Sequence, residues 1–543
     1  MAAHSPHAVP GAHLHGLEPD PHRGEAIDHQ SEGARAPQES VRTTFKRRLG
    51  LIGGLVMAVA LYVLLPDDLS HQGKLTAATA VLMGIWWMTE AIPIPATALL
   101  PLAVFPTLGT NVTVNAVGAS YGNSIIFLFM GGFVIALAMQ RWNLHRRIAL
   151  HTVRLMGTRA TRVVGGFMIA TAFLSMWVSN TATAVMMIPI GVSVLLLVGS
   201  STAADSGSAL QGLEGDASDP ASQRVKDAII ESNFGTALML GIAYAASLGS
   251  LGTIIGTPPN TLLVGYLRDN HDINIGFGQW MAVGVPLAIV FTALAWFLLA
   301  KVLFPPEIQE IPGGRALLNT ELEKLGPMSS GEKRVLAVFV LAALSWVALP
   351  LVFDKPPVDD TGVAVIAALL LFLLPAGAQR GVRLIDWDAA AKLPWGVLLL
   401  FGGGLALSAQ FGSSGLTKWI GGHVEGLGWV PVVVLVGILA LGVLFLTELT
   451  SNTATAATFL PVAGGVALGL GLPPLLLTIP VALAATCAFM LPVATPPNAI
   501  AYGSGYVTIA QMIRGGVLLN LIGVVLITAV TMTLAVWVFA LVY

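Results

Sequence analysis

From Leu449 to Ile513 the chain carries no Asp, Glu, Lys or Arg. About 20 apolar residues cross the ~30 Å hydrocarbon core of a bilayer, so this run is too long for one crossing and must fold back. Further charge-free runs cover Ala91–Gln140, Val163–Ala204, Ser232–Leu267, Trp280–Ala300, Val335–Phe353, Thr361–Gln379, Leu393–Thr417 and Gly515–Tyr543. Charged residues make up only 10% of the chain, against about 25% in a soluble domain. In lipid every backbone polar group needs an internal partner, which favours helices for such runs. The expected fold class is all-α, a polytopic membrane protein. No basic patch with interleaved aromatics points to a nucleic-acid partner. The single cysteine, Cys487, excludes an internal disulfide and a cysteine metal site.

Residues 1–44 are different: polar, rich in Pro, Gly and Glu, and holding His4, His7, His13, His15, His22 and His29. No metal-ligand spacing recurs among these histidines, and the segment lacks the apolar centre of a signal peptide. It reads as a disordered cytoplasmic tail.

Arg42, Lys46, Arg47 and Arg48 stand directly before the first span, Leu49–Pro66. The positive-inside rule puts this N-terminal end in the cytoplasm. Alternating the spans leaves only Lys74, Arg268, Lys355 and Lys418 outside. Arg141, Arg146, Arg147, Arg154, Arg159 and Arg162 fall inside, as do Arg224, Lys226, the stretch Lys301–Arg334, Arg380, Arg383, Lys392 and Arg514. The asymmetry holds only if the runs near 163–198 and 426–470 are re-entrant hairpins that enter and leave on one side. Counted so, there are about eleven transmembrane helices in the cell (inner) membrane, with Tyr543 outside. The Ser/Gly/Asp-rich stretch from Gly199 to about Asp227 reads as a cytoplasmic insertion. The mixed-charge stretch from Pro305 to about Lys333 joins two halves.

The halves repeat each other. Ile125–Gly132 matches Gly396–Gly403, and Phe173–Thr183 matches Phe445–Thr455 through a shared Ser-Asn-Thr-Ala-Thr string. Gly256-Thr257-Pro258-Pro259-Asn260 matches Ala494-Thr495-Pro496-Pro497-Asn498. The connector before the first Ser-Asn-Thr hairpin holds six arginines, whereas its counterpart near Lys418–Glu425 is balanced. The first hairpin should therefore enter from inside and the second from outside. Inverted repeats with paired interrupted helices expose one central site alternately to each side, which is the architecture of secondary transporters.

Consecutive Ser, Asn and Thr are poor lipid-facing residues, because their polar atoms find no water there. They cap helices, but capping does not explain two identical strings in symmetric positions. Hydroxyls, Asn carbonyls and unwound backbone carbonyls suit sodium without any carboxylate. Asn amides, Thr hydroxyls and free N–H groups at a helix start suit a dicarboxylate. The Thr-Pro-Pro strings should unwind their helices and free carbonyls, those of Gly256 and Ala494 foremost. With no Lys, Arg or His beside the motifs, sodium would have to balance the substrate charge, which predicts obligate coupling. Glu448 and Glu90 read either as proton carriers or as hairpin-mouth or interfacial carboxylates.

These residues, with the early segment Trp86-Trp87-Met88-Thr89-Glu90-Ala91-Ile92-Pro93, resemble the divalent anion/sodium symporter family, the INDY-type di- and tricarboxylate and sulfate transporters. The resemblance covers about Phe45–Tyr543 and implies a homodimer in which a transport domain moves against a fixed scaffold, as an elevator. Carried over by motif, it implies one sodium site at Ser175 (through its carbonyl), Ser179, Asn180 and Gly256. A second sodium site would use Thr447, Thr450, Asn452 and Ala494. Substrate would meet Asn180, Thr181, Thr257, Pro258, Asn452, Thr453, Thr495 and Pro496. The corresponding domains are scaffold at 45–162, transport domain at 163–304, linker and scaffold at 305–425, and transport domain at 426–543. No cofactor is expected beyond sodium as coupling ion.

The expectation is a sodium-coupled symporter of C4-dicarboxylates such as succinate, malate or fumarate. A sodium-independent exchanger, or the same fold carrying citrate or sulfate, stays open. A channel is disfavoured by inverted broken helices. A membrane enzyme is disfavoured by the lack of His-Glu-x-x-His, Gly-x-Ser-x-Gly or a carboxylate pair suited to acid–base work.

Overall fold

The computed structural model describes residues 41–205, 232–311, 313–353, 355–424, 426 and 428–543. The histidine-rich tail up to residue 40, and the 199–227 insertion from residue 206 on, lie outside the described residues. Everything regular among them is helical, apart from two isolated bridges, Arg159 with Glu310 and Pro375 with Arg383.

Helices of eight or more residues run in the order α1 Val41–Leu64, α2 His71–Thr89, α3 Leu100–Leu108, α4 Ser124–Arg141, α5 Leu144–Met156, α6 Ala160–Ser175 and α7 Asn180–Asp205. Then come α8 Asn233–Ser250, α9 Pro258–His271, α10 Phe277–Phe297, α11 Gly314–Leu325, α12 Ser330–Val352, α13 Asp360–Leu373, α14 Trp395–Ser413 and α15 Leu416–Val424. The chain closes with α16 Val432–Thr447, α17 Asn452–Gly469, α18 Leu475–Thr486, α19 Pro496–Gly503 and α20 Ile509–Val530. The first helix starts a few residues before the expected tail boundary. Glu90 ends α2 in the left-handed conformation at φ 51°, with its side chain largely exposed.

Seven helices among the described residues are long and apolar enough to cross a bilayer, including α1, α12 and the stretch that contains α4. Five apolar helices are shorter, among them α6 and α16 at 16 residues each. At 1.5 Å per residue these two reach about 24 Å, less than the ~30 Å core.

Matching helices make matching contacts in the two halves. Helix α6 packs on α8 as α16 packs on α18, and α7 packs on α8 as α17 packs on α18. Across the halves, α7 meets α19 as α17 meets α9, and α8 meets α19 as α18 meets α9. Small residues permit this closeness, as expected where van der Waals contact drives helix association. A Cβ on Gly249 of α8 would lie 2.1 Å from the Ala172 carbonyl oxygen of α6.

The mixed-charge linker is anchored. Glu307 accepts from the amides of Asn233 (2.5 Å) and Phe234 (3.2 Å) and so caps α8. The Ala160 amide donates to Gln309, and the Ile311 amide donates to Thr158. Arg147 of α5 pairs with Glu332 at 2.8 Å and donates to the Gly326 carbonyl, while Arg146 pairs with Glu321 of α11.

Candidate functional site

Both Ser-Asn-Thr strings sit where a helix stops and another starts. Met176–Ser179 separates α6 from α7, and Glu448–Ser451 separates α16 from α17. Each break joins the carbonyl end of one helix to the amide end of the next, so unsatisfied backbone groups of both kinds meet there. In the first break Asn180 Oδ1 accepts from the Thr181 amide at 2.9 Å, and Ser179 Oγ accepts from the Ala182 amide at 3.3 Å. Capping does occur. In the second break Thr447 Oγ1 donates to Asn452 Oδ1 at 2.8 Å and lies 3.0 Å from the Ala485 carbonyl oxygen. Thr450 Oγ1 sits 2.7 Å from Thr455 Oγ1 and bonds back to Leu446.

The Thr-Pro-Pro strings also mark breaks, longer than a proline kink. Helix α8 ends at Ser250 and α9 starts at Pro258, leaving Leu251–Thr257 unwound; α18 ends at Thr486 and α19 starts at Pro496, leaving Cys487–Thr495 unwound. Thr257 (φ −145°, ψ 144°) and Thr495 (φ −140°, ψ 150°) are extended, and the prolines take the first two helical positions, where a missing N–H costs nothing. All four motifs therefore stand at helix N-termini, where free amides and the positive end of the helix dipole favour an anion.

Each break is latched to the unwound segment of its own half. Thr253 Oγ1 donates to the Met176 carbonyl in the first half. In the second, the Glu448 carboxylate accepts from the amides of Phe489 (2.7 Å), Met490 (2.9 Å) and Leu491 (3.1 Å). These latches bring Ser175, Ser179 and Asn180 to the segment that holds Gly256. They likewise bring Thr447, Thr450 and Asn452 to the segment that holds Ala494. The halves meet where Thr257 Oγ1 lies 3.4 Å from Thr486 Oγ1.

Burial divides the expected residues. Ser175, Thr447, Thr257, Thr495 and Ala494 are buried, as are Gly256, Thr450 and Thr453, while Ser179, Asn180, Thr181, Pro258 and Asn452 are half-buried and Pro496 is exposed. The Thr495 hydroxyl is occupied as the cap of α19, accepting from the Asn498 amide at 3.3 Å.

Sequence reasoning missed three features. Asn260 and Asn498, the last residues of the matched pentapeptides, are fully buried and brace the unwound segments. Asn260 Nδ2 donates to the carbonyls of Ser250, Leu251 and Thr253; Asn498 Nδ2 donates to those of Ala488 and Leu491 at 3.1 Å each. Both reach residues seven and ten positions upstream, and the paired asparagines themselves were the signal. Glu448, at the mouth of the second break, is buried and bound to the backbone amides of Phe489, Met490 and Leu491, partners that sequence reasoning did not find. Pro189 inside α7 and Pro461 inside α17 also extend the repeat.

At the tip of the first break Trp177 stacks near-parallel on Phe277 (6.1 Å, 16°) and on Trp346 of α12 (6.4 Å, 10°), with Phe339 edge-on at 5.1 Å. Its buried indole nitrogen has no hydrogen-bond partner.

An all-helical, multi-pass membrane protein with two broken-helix pairs in matched halves is the class these features define. Residues 47–541 match the family described as the sodium:sulfate symporter transmembrane region, and the chain belongs to that family. It is 42% identical over 485 residues to a sodium-dependent dicarboxylate transporter, SdcS, of Staphylococcus saprophyticus, covering 88% of this chain and 89% of the relative. The protein of that name from Staphylococcus aureus is likewise 42% identical over 488 residues, covering 89% and 90%. Two solved structures share the fold at low identity. The Alcanivorax borkumensis YdaH transporter has a TM-score of 0.50 at 13% identity, covering 92% of this chain and 98% of its own. MtrF of Neisseria gonorrhoeae has a TM-score of 0.51 at 15% identity, covering 90% and 98%.

Proposed function

We propose that this chain is a sodium-coupled symporter of C4-dicarboxylates of the succinate, malate and fumarate class. The observation that carries the reading is the pair of latched breaks, each bringing hydroxyl, amide and backbone oxygen groups against an unwound segment. Sodium accepts such neutral oxygen donors. One ion would be held by Ser175, Ser179, Asn180 and Gly256, and a second by Thr447, Thr450, Asn452 and Ala494. The dianion would meet Asn180, Thr181, Asn452, Thr453 and the Thr257-Pro258 and Thr495-Pro496 starts of α9 and α19. The part-exposed Asn180, Thr181 and Asn452 suit contact with a ligand that comes and goes.

Sodium lowers the cost of placing a dianion where no cationic side chain was expected, and the dianion does the same for sodium. Two sodium ions with one dianion move no net charge. A third would make transport electrogenic, worth about 2.3 kcal/mol per 100 mV. The same reading makes α6–α7 and α16–α17 re-entrant hairpins of opposite orientation in a protein of about eleven spans, supported by the shortness of α6 and α16. It places the N-terminal end in the cytoplasm and Tyr543 outside. It assigns 163–304 and 426–543 to a transport domain that moves as an elevator within a homodimer, and 45–162 and 305–425 to the scaffold and linker.

The sodium-dependent dicarboxylate relatives favour this substrate class, whereas the family description names sulfate. Uptake of labelled succinate into proteoliposomes, with sodium replaced by choline, tests the coupling. Undiminished uptake in choline would sink symport in favour of exchange. A thermal-shift series of dicarboxylates, citrate and sulfate tests the substrate, with sodium-dependent stabilisation expected for the C4 acids; a response to sulfate alone would overturn the assignment.

A further inference from the structure

We infer that Glu448 is a positioning residue that keeps the second sodium site preformed, while the first must be organised by its ion. This rests on the two-site reading above and concerns a residue outside both ligand sets.

The argument comes from comparing equivalent positions. The repeat sets Met176 against Glu448, and Leu251, Gly252 and Thr253 against Phe489, Met490 and Leu491. In the first half the amides of Leu251 and Gly252 stay with their own helix end, closing tight turns onto the carbonyls of Leu248 and Gly249 at 3.3 and 2.9 Å. The latch there is one neutral hydroxyl, Thr253, on the Met176 carbonyl. In the second half all three amides turn away from their own helix and donate to one carboxylate, with Met490 reaching both oxygens at 2.9 and 3.2 Å. Helix α18 accordingly ends at Thr486, whereas its counterpart α8 runs on to Ser250.

Withdrawing those amides leaves the last carbonyls of α18 without helical donors. One of them, Ala485, lies 3.0 Å from Thr447 Oγ1, a proposed ligand residue, as the Ala246 carbonyl of α8 accepts from Ser175 Oγ in the first half. A buried carboxylate is stable only when its lone pairs are used. Here the fourth donor is Asn520 Nδ2 of α20, 2.7 Å from Oε1. Helix α20 presses on the same segment, since a Cβ on Gly516 would lie 2.4 Å from the Phe489 carbonyl oxygen. Glu448 is therefore held by the unwound segment and by α20 before any ion arrives. The latch of the first site holds no carboxyl group.

The test uses the full-length protein. Glu448→Gln keeps the shape but turns an NH2 group toward amide donors. In sodium-free wild type, hydrogen exchange across 487–495 should already be slow, and added sodium should slow 249–257 more than 487–495. In Glu448→Gln the second segment should exchange faster without sodium and acquire a sodium response. Half-saturating sodium for uptake should rise about tenfold, with the rate at saturating sodium changed less than about twofold. A folded Glu448→Gln with wild-type exchange and wild-type sodium dependence overturns the inference. Should that variant fail to fold, Asn520→Ala keeps the carboxylate and its amides while removing one donor. It should shift half-saturating sodium about twofold to threefold in the same direction, and no shift in folded Asn520→Ala likewise overturns the proposal. Asn452→Ala separates the two readings: normal sodium-dependent uptake there defeats the site assignment itself. Its loss alongside a silent Glu448→Gln defeats this inference alone.

Discussion

Asn260 and Asn498 each spend a fully buried amide on the carbonyls of a segment that no longer makes its own helical bonds. A typical buried hydrogen bond contributes about 1 kcal/mol net, but stranding its partners costs about 1–3 kcal/mol each. Asn260→Ala and Asn498→Ala should each lower stability by about 2–4 kcal/mol, read as a fall in melting temperature in sodium-free buffer. Asn260→Asp should be worse than alanine, because an acceptor would then face the carbonyls of Ser250, Leu251 and Thr253. At Gly256 the two sites part company: a Cβ there would lie 2.3 Å from the Ser250 carbonyl oxygen, whereas the equivalent Ala494 already carries one. Gly256→Ala is expected to abolish sodium-dependent uptake and Ala494→Gly to retain most of it; the reverse order would count against a shared role. That the two Ser-Asn-Thr strings set hydroxyl and amide groups at helix breaks was legible from residue type and repetition. The bracing role of Asn260 and Asn498 was not, since an Asn in the first helical turn reads as a cap. The partners of Glu448, at Phe489–Leu491 and Asn520, lie 41 to 72 residues further along the chain, and no local pattern pairs them with it.

At the level of elements, the matching strings located the breaks, and the Thr-Pro-Pro prolines located the unwound segments, because missing N–H groups leave a local mark. The linker's order was invisible, since its ion pairs join residues far apart in sequence, Arg147 with Glu332 among them. Glu307 illustrates what such a segment does for a helix it does not belong to. Its carboxylate takes two orphan amides at the start of α8 and sits at the positive end of that helix's dipole. Glu307→Ala should cost about 1–2 kcal/mol and speed hydrogen exchange in the first turn of α8. Protection unchanged there would mean that the cap is replaceable by water.

Across the whole molecule, the crossed packing of α7 on α19 and α17 on α9 ties both halves into one unit, while α14 lies against α17 from the proposed scaffold. A Cβ on Gly404 of α14 would lie 3.2 Å from Ala457 Cβ of α17, close to the ~3.5–4.5 Å of natural disulfides. The native Cys487 is buried, so an engineered pair can be read against it. Oxidising Gly404→Cys with Ala457→Cys should arrest uptake, with recovery on reduction. Full uptake by the cross-linked protein would exclude sliding of the two domains at this contact. The aromatic stack at the first break has a consequence of another kind. Trp177 and Trp346 are near-parallel indoles 6.4 Å apart, one on the break and one on α12. A movement of the proposed transport domain that parted them would uncouple two chromophores, so the protein's own ultraviolet emission would serve as a clock for the proposed stroke.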